Sequence, residues 1–219
     1  MSAKDLISKE ISPLSPSTSI SEALARMDEL KVNALPLVSN SRFVSLLTHK
    51  ELLNQADDTQ PVSSVSGSSL SIREQTHLFD ALDRMVQSES DILPVISAEG
   101  KYLGSVSTRI LLQQLALVCD ASIPGAVILL EMRPHDYVLS ELARLAEENN
   151  THIINVLTYP DTSTGMLRVL LKVDQEDATY LLRSLERFNY HIIADYHRQN
   201  LSDEQMKQRL AELIYYIEM

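Results

Sequence analysis

The stretch ALPLVSNSRFVSLLTHKELL, from Ala34 to Leu53, occurs almost twice, because the chain continues from Ile92 with ILPVISAEGKYLGSVSTRILL. Each copy has a Leu-Pro pair, aliphatic residues, a short turn, a second hydrophobic segment, a Thr or Ser, and a helix start. When Leu35-Pro36 is aligned with Leu93-Pro94, the upstream segment SEALARMDEL falls over FDALDRMVQS. Self-similarity at a fixed period indicates an architecture built from two copies of one unit.

The pattern inside each copy predicts a β-α-β-β-α unit of about 55 residues. Apolar residues recur at helical spacing in SEALARMDEL, while LPLV and FVSLL predict two short strands joined by a turn. THKELL predicts a second helix with Thr48 at its N-cap. A unit this small buries little surface, so the two copies are expected to pack together.

Composition narrows the classes of function. The chain has 219 residues and a formal net charge of −11, which repels nucleic-acid phosphates, so nucleic acid is not an expected partner. Cys119 is the only cysteine, which excludes a disulfide framework and favours a cytoplasmic location. The N-terminal residues have no apolar core typical of a signal peptide. No run approaches the roughly 20 apolar residues of a membrane span, so no membrane association is expected.

The duplicated unit resembles a tandem pair of CBS domains, the module named after cystathionine β-synthase. The resemblance covers about residues 1–118, with repeats expected at 1–60 and 61–119. It rests on the apolar-Pro pairs and on a Gly-aliphatic-aliphatic-Thr/Ser-x-x-Asp signature. Gly104–Ser107 carries this signature in the second copy, and Ser45–Glu51 is its counterpart in the first.

The resemblance implies an adenosyl ligand, either AMP, ADP, ATP or S-adenosylmethionine, in a cleft between the repeats. In such domains a Thr or Ser hydroxyl and the Asp three residues later hold the ribose hydroxyls, and the aliphatic strand around the Pro covers the adenine. A basic residue often meets the phosphate. Carried over to this chain, the candidate ligand-binding residues are Leu35, Pro36, Thr48, Lys50, Glu51, Leu93, Pro94 and Ser107.

The two copies differ at the positions that would hold the ligand. The first copy has Glu51 in place of the Asp, whereas the second has Ile110, which cannot accept a hydrogen bond from a ribose hydroxyl. Asp91 precedes the second Leu-Pro pair and would repel a phosphate at close range. We therefore expect the site of Thr48 and Glu51 to be occupied first. The alternative is that Thr48 is only a helix cap and Glu51 only a first-turn charge.

A third unit is expected over residues 124–198, after Pro124-Gly125. Its segments predict the order β-α-β-β-α-β, which is a ferredoxin-like antiparallel sheet with two helices on one face. This order resembles an ACT domain, a regulatory module that often senses amino acids. The turn RPHDY, Arg133 to Tyr137, lacks the Gly of the usual ACT turn, so a scaffold for pairing is favoured over amino-acid binding.

The whole arrangement is similar to the bacterial acetoin-utilisation regulatory protein family. That similarity implies a regulatory protein and does not imply acetoin chemistry. The segment 201–219 predicts a helix with a cap at Ser202 and one apolar stripe. The stripe either packs on its own domain or serves as a dimer arm.

No motif of an enzyme or a metal site is present. The six histidines are scattered without a His-Glu-x-x-His spacing, and neither a Gly-rich phosphate loop nor a Gly-x-Ser-x-Gly elbow occurs. The sequence therefore predicts an α+β, non-enzymatic regulatory protein that binds no metal. A homodimer is expected through the CBS helices, the edge of the ACT-like sheet, or both, because the THLFDALDRM and THKELL helices have more apolar residues than one small core needs. One hypothesis is an adenosyl sensor that acts on a protein partner, and the alternative is a ligand-free homodimeric interaction scaffold.

Overall fold

The computed structural model describes residues 1–8 and 10–196. The chain divides into two compact units, Met1–Leu115 and a second one that starts at Ala116. The helix predicted over 201–219, including its cap at Ser202, lies outside the described residues.

The first unit consists of two repeats, whose helices and strands alternate as the sequence predicts. The first repeat contains α1 (Ile20–Leu30), β1 (Ala34–Ser39), β2 (Arg42–Thr48) and α2 (His49–Leu53). The second contains β3 (Ile72–Arg73), α3 (Leu78–Ser88), β4 (Ile92–Ile96), β5 (Tyr102–Ser107) and α4 (Thr108–Val118). Short 3-10 helices lie at Ala3–Leu6 and Val62–Ser64.

The helices α1 and α3 end in equivalent ways, and α1 begins with a typical N-cap. Ser19 accepts a hydrogen bond from the Glu22 N–H at 3.2 Å and so caps α1, as Ser and Thr do at this position. The next residues after the two helices, Lys31 and Glu89, have positive φ angles of 55° and 52°. A left-handed residue there stops the helix and turns the chain into the following strand.

The leading strand of the first repeat is shorter than the β-α-β-β-α pattern predicts. It is reduced to a single parallel bridge between Leu14 and Leu37, whereas the second repeat has β3 paired with β4 over two residues. Pro13 and Pro16 flank Leu14. Because proline has no N–H to donate, these neighbours limit the extent of a sheet ladder.

The repeats meet through equivalent positions. Arg42 and Lys101, which begin or precede corresponding strands, form an antiparallel bridge. On either side of it the Tyr102 N–H donates to the Ser41 carbonyl at 2.9 Å, and the Phe43 N–H donates to the Gly100 carbonyl at 3.4 Å. Reciprocal contacts of this kind are the mark of a twofold relation. The repeats are therefore related by a pseudo-twofold axis.

Each repeat is also joined to the segment that leads into the other. Ser8, ahead of the first repeat, bridges to Ser105 on β5, and Ser68, ahead of the second, bridges to Leu46 on β2. The packing is close, since a Cβ added at Gly104 would lie 2.3 Å from Cγ2 of Ile7. Glycine at this position allows the leading segment to approach β5.

Two apolar clusters stabilise the first unit. One includes Leu35 and Leu47 and also contains Ile92 from the second repeat. The other includes Leu93 and Val106 and also contains Ala3 and Leu6 from the N-terminal segment. Because both clusters contain residues from outside a single repeat, the repeats complete each other's cores, as their small size requires.

The second unit has the predicted β-α-β-β-α-β order. Its elements are β6 (Val127–Met132), α5 (Leu139–Glu148), β7 (Ile153–Pro160), β8 (Leu167–Val173), α6 (Thr179–Arg187) and β9 (His191–Tyr196), with a 3-10 helix at Pro134–Asp136. The strands lie in the order β7-β8-β6-β9, and every pair is antiparallel. This is the order of a ferredoxin-like sheet.

A single core joins both helices of the second unit to its sheet. Alternate residues of β6, including Ile128 and Leu130, are buried against Leu145 of α5 and Leu185 of α6 in one cluster. Because all these residues share that cluster, both helices pack on the same face of the sheet. The chain is therefore an α+β protein, as its sequence predicts.

Candidate functional site

The first candidate site is a cleft of about 530 Å³ in the first unit, which we call the Thr48 cleft. One of its walls is the start of α2, and the opposite wall is the turn after α3. The residues that line it are Asn33, Thr48, His49, Lys50, Leu53, Asn54, Ser88, Glu89 and Ser90.

A second cleft of about 450 Å³, which we call the Ser107 cleft, is built from the equivalent positions. The start of α4 replaces the start of α2, and the turn after α1 replaces the turn after α3. Its lining residues are Ser8, Glu10, Ile11, Leu30, Lys31, Val32, Asp91, Ser107, Thr108 and Arg109. The helix starts and turns of the two clefts are thus pseudo-symmetric, with Lys50 corresponding to Arg109 and Asn33 to Asp91, whereas Ser8, Glu10 and Ile11 line only the Ser107 cleft.

Thr48 and Glu51 form a capping box at the start of α2. The Thr48 hydroxyl oxygen accepts from the Glu51 N–H at 3.2 Å. In return Oε2 of Glu51 accepts from the Thr48 N–H at 2.7 Å and from the Thr48 hydroxyl at 2.9 Å. This reciprocal arrangement satisfies backbone donors at the helix start. Thr48 lines the cleft, whereas Glu51 is not among its lining residues.

The equivalent helix start in the Ser107 cleft is less strongly capped. The Ser107 hydroxyl oxygen accepts from the Ile110 N–H at 3.4 Å. Ile110 has no side-chain acceptor to return the interaction. The two copies therefore differ in the local chemistry of the helix start as well as in its sequence.

The Leu-Pro pairs lie away from the clefts. Leu35-Pro36 and Leu93-Pro94 are buried in β1 and β4, and none of the four lines either cleft. Of the sequence-predicted residues, the structure places Thr48 and Lys50 together in one cleft and Ser107 in the other.

Sequence reasoning missed the turns that form the walls opposite the helix starts. Leu30–Val32 lines the Ser107 cleft, and Ser88–Ser90 lines the Thr48 cleft. Both turns follow the first long helix of their repeat at the same register. Aligning the two repeats could have pointed to these turns, because they occupy the same position in each repeat. No side-chain motif marks them.

The charged groups differ between the clefts. The Ser107 cleft has Lys31 and Arg109 beside Glu10 and Asp91, and Arg109 Nη1 lies 3.8 Å from Glu10 Oε2. That pair is mostly exposed, so water screens it. In the Thr48 cleft, Lys50 and Glu89 line the wall. Lys50 is exposed, and its cation is available to an anionic group.

The second unit has a cavity of about 610 Å³ beside the turn that follows β6. Arg133, His135 and Asp136 of this turn are among its lining residues. The Arg133 Nε donates to Asp136 Oδ2 at 2.8 Å, and this bond lowers the pKa of the Asp136 carboxyl. The Arg133 cation at the cavity is thus partly neutralised by the Asp136 carboxylate of the same turn.

A partly buried ion-pair network lies across β6 and β8. Arg168 Nη1 is 3.0 Å from Glu131 Oε2, and Arg168 Nη2 is 2.7 Å from Asp161 Oδ2. Hydrogen bonds from the Ser163 hydroxyl and from Arg168 hold the pKa of Asp161 well below its usual range.

Within residues 1–8 and 10–196, no group of three or more His, Cys, Asp or Glu residues could hold a metal ion. No helix in that part of the chain is long and apolar enough to cross a membrane.

The CBS domain family model matches residues 3–58 and 62–117, which together make up just over half of the chain. The chain therefore belongs to the CBS-domain family. It carries two CBS domains in tandem, in agreement with the duplicated unit of its first half.

Curated relatives match the CBS pair. Inosine-5'-monophosphate dehydrogenase of Methanocaldococcus jannaschii is 25% identical over 114 residues, which are 51% of this chain and 23% of the relative. A 17.7 kDa protein of Acidianus ambivalens is 31% identical over 99 residues, which are 43% of this chain and 60% of the relative. The chain thus covers less than two thirds of the length of either relative.

Solved structures were also found over about half of the chain. A CBS domain pair/ACT domain protein from Thermotoga maritima has 23% identity and a TM-score of 0.48, covering 53% of this chain and 98% of that one. CBSX2 of Arabidopsis thaliana in complex with AMP has 23% identity and a TM-score of 0.47, covering 53% of this chain and 97% of that one.

Proposed function

We propose that this chain is a non-enzymatic regulatory protein whose CBS pair binds an adenosyl ligand in the Thr48 cleft. One observation carries the proposal, namely that the start of α2 presents the Thr48 hydroxyl and the Lys50 ammonium to a single cleft. Its volume of about 530 Å³ lies in the range of roughly 300–1,000 Å³ typical of small-molecule sites.

The chemistry of the cleft suits a ribose that carries a phosphate. A ribose diol taken out of water needs acceptors, and a carboxylate has lone pairs beyond those that a cap uses. Glu51 does not line the cleft itself, so Oε1, the oxygen that the cap does not use, is proposed to accept from the diol beside Thr48. Thr48 is proposed to fix the orientation of the ribose, and Lys50 to attract the phosphate. Binding would favour one of two arrangements of the protein, which is how a sensor acts.

A thermal-shift screen tests this function. The panel is AMP, ADP, ATP, S-adenosylmethionine, adenosine and amino acids. A ligand at 100 times its dissociation constant stabilises the folded protein by about 2.7 kcal/mol, so a raised melting temperature with at least one adenosyl compound is expected. No shift with any of them at millimolar concentration would reject the sensor and leave the ligand-free scaffold.

Substitution of Glu51 separates ligand binding from helix capping. Glu51→Ala removes the proposed acceptor, so AMP affinity measured by calorimetry is expected to fall about tenfold or more, equivalent to 1.4 kcal/mol per decade. Glu51→Gln keeps a capping-box side chain but loses the charge, so affinity is expected to fall at an unchanged melting temperature. Ile110→Ala, the matched change in the Ser107 cleft, is expected to leave AMP binding unchanged. If Glu51→Ala binds AMP with the affinity of the wild type, Glu51 caps the helix and does not contact the ligand.

The scaffold remains the second candidate function. It is favoured by the capping box, because Thr48 and Glu51 already satisfy each other without a ligand. In that case both CBS domains would only build a homodimer that presents a surface to a protein partner. For either function we propose the cytoplasm as the compartment.

We propose that the second unit is an ACT-like domain that supports dimerisation or transmits the signal. The proposal rests on the β-α-β-β-α-β order and on the sheet order β7-β8-β6-β9. The turn Arg133–Tyr137 lacks glycine, so amino-acid binding is not expected. The amino acids of the thermal-shift panel test this point.

A homodimer is proposed from the exposed apolar surface of α3 and α4. A groove of about 320 Å³ there is lined mainly by apolar side chains. Val86 and Leu112 line it and are 70% and 64% exposed. Exposed apolar patches usually mark interfaces. Val86→Glu and Leu112→Glu are expected to convert the dimer to a monomer in light scattering.

The matched control for the dimer is Val44→Glu, since Val44 is also exposed but lies on β2 outside the groove. This variant is expected to remain dimeric. A wild-type protein that scatters as a monomer at micromolar concentration would contradict the dimer. Dissociation of all three variants alike would place the interface elsewhere.

A further inference from the structure

Asn33 and Asp91, which occupy equivalent positions ahead of the two Leu-Pro pairs, hold each other across the pseudo-twofold axis. The Asn33 N–H donates to Asp91 Oδ2 at 3.3 Å, and the Asp91 N–H donates to Asn33 Oδ1 at 3.1 Å. We call this reciprocal pair the Asn33–Asp91 clasp. Each residue uses one side-chain oxygen and one backbone N–H, so the clasp is symmetric in geometry but carries charge on one side only.

The clasp is connected to both clefts through the backbone. The His49 N–H at the start of α2 donates to the Asn33 carbonyl at 2.8 Å, and the Thr108 N–H at the start of α4 donates to the Asp91 carbonyl at 3.0 Å. Asn33 Nδ2 also donates to the Glu89 carbonyl at 3.2 Å. The clasp therefore fixes its two side chains relative to both helix starts.

The two members of the clasp line different clefts. Asn33 lines the Thr48 cleft, and Asp91 lines the Ser107 cleft. Where one cleft presents a neutral amide, the other presents a carboxylate at the equivalent position. A phosphate in the Ser107 cleft would be repelled by that carboxylate, whereas a neutral ligand would not.

We propose that Asp91 is a specificity-determining residue that confines phosphate-bearing ligands to the Thr48 cleft. This inference rests on the proposed function, because it assigns the ligand class of each cleft. The chain then binds one phosphate-bearing nucleotide, and the charge asymmetry of the clasp selects the cleft against the opposite asymmetry of the turns, which have Lys31 in the Ser107 cleft and Glu89 in the Thr48 cleft. A repulsive group against the wrong site is a common source of selectivity.

Two substitutions that exchange the clasp chemistry test the proposal, with AMP and adenosine as probes in calorimetry. Asp91→Asn removes the carboxylate and retains an oxygen and a backbone N–H for the clasp. It is expected to add a second, weaker AMP site per chain, since Ile110 still supplies no acceptor. Asn33→Asp places a carboxylate in the Thr48 cleft, and is expected to weaken AMP binding at least tenfold while adenosine binding changes less than threefold.

Asn33→Asp alone sets two carboxylates against each other and could loosen the clasp. The double exchange Asn33→Asp with Asp91→Asn keeps one amide and one carboxylate. It is expected to retain the wild-type melting temperature, to lose AMP affinity in the Thr48 cleft to the same extent as Asn33→Asp, and to bind AMP only at the weaker site that Asp91→Asn opens in the Ser107 cleft. Full wild-type AMP affinity in the double exchange would assign the loss in Asn33→Asp to damage of the fold and overturn the proposal.

Failure of this inference is distinguishable from failure of the proposed function. If the wild type binds one AMP, and neither single substitution alters AMP binding, Asp91 does not set the specificity although the function stands. Two equal AMP sites in the wild type, or equal effects on AMP and adenosine, overturn the inference in the same way. No binding of an adenosyl compound by the wild type or by any variant overturns both.

Discussion

Replacing Lys50 by glutamate is expected to weaken AMP binding about a hundredfold. Lys50 is exposed at the start of α2 and lines the Thr48 cleft, where it is the proposed partner of the phosphate. Charge reversal removes an attraction and adds a repulsion, and AMP carries more than one negative charge near neutral pH. The effect is therefore larger than that of a neutral substitution. Calorimetric titration with AMP measures it.

The pseudo-symmetry of the first unit supplies a matched control for this charge reversal. Arg109 is the counterpart of Lys50 and lines the Ser107 cleft. Arg109→Glu is expected to leave AMP affinity within about threefold of the wild type, because long-range charge effects in salt are small. Adenosine has no phosphate, so its affinity is expected to survive Lys50→Glu. Equal losses in both variants would show that net charge, and not the Thr48 cleft, governs binding.

Replacing Gly125 by alanine is expected to destabilise the second unit by about 3 kcal/mol or more, beyond the usual range for overpacking. Gly125 has a φ angle of +158°, and a Cβ added there would lie 1.9 Å from the Val173 carbonyl oxygen. That oxygen belongs to the backbone of β8. The next residue is held in place, because the Ala126 N–H donates to the Gln175 carbonyl at 2.8 Å. Neither strand can move aside without losing sheet hydrogen bonds.

Gly165→Ala is the control for Gly125→Ala in the same unit. Gly165 has a φ angle of +69°, and no atom lies within 4 Å of a Cβ added there. Its cost is therefore limited to backbone strain, about 1 kcal/mol. Denaturant unfolding followed by circular dichroism compares the two variants. A Gly125→Ala variant no less stable than Gly165→Ala would contradict the close approach to Val173.

Much of the fold could be predicted from local pattern. The two copies that contain Leu35-Pro36 and Leu93-Pro94 define the repeats, and the order of elements after Gly125 defines the ferredoxin-like sheet. These features depend on periodicity and on turn residues, which are written in consecutive positions. The truncated leading strand at Leu14 was not anticipated, although the prolines beside it explain it.

The candidate site was only partly predictable because it is made by contacts distant in sequence. Thr48 and Lys50 follow a local signature at a helix start, and the structure places both in one cleft. Lys31 and Glu89 line the clefts because each lies in a turn with a positive φ angle. Neither residue belongs to a sequence motif. The pairing of Asn33 with Asp91 depends on the pseudo-twofold packing of the repeats. No consecutive stretch of sequence contains that information.

The most direct test of the central claim is a calorimetric titration of the unmodified protein with AMP. We expect saturable binding of one AMP per chain, which is weakened about a hundredfold by Lys50→Glu and retained on Arg109→Glu. The absence of binding heat at millimolar AMP, together with an unchanged melting temperature in the presence of ADP, ATP, S-adenosylmethionine and adenosine, would contradict the account and establish the Thr48 cleft as part of a ligand-free scaffold.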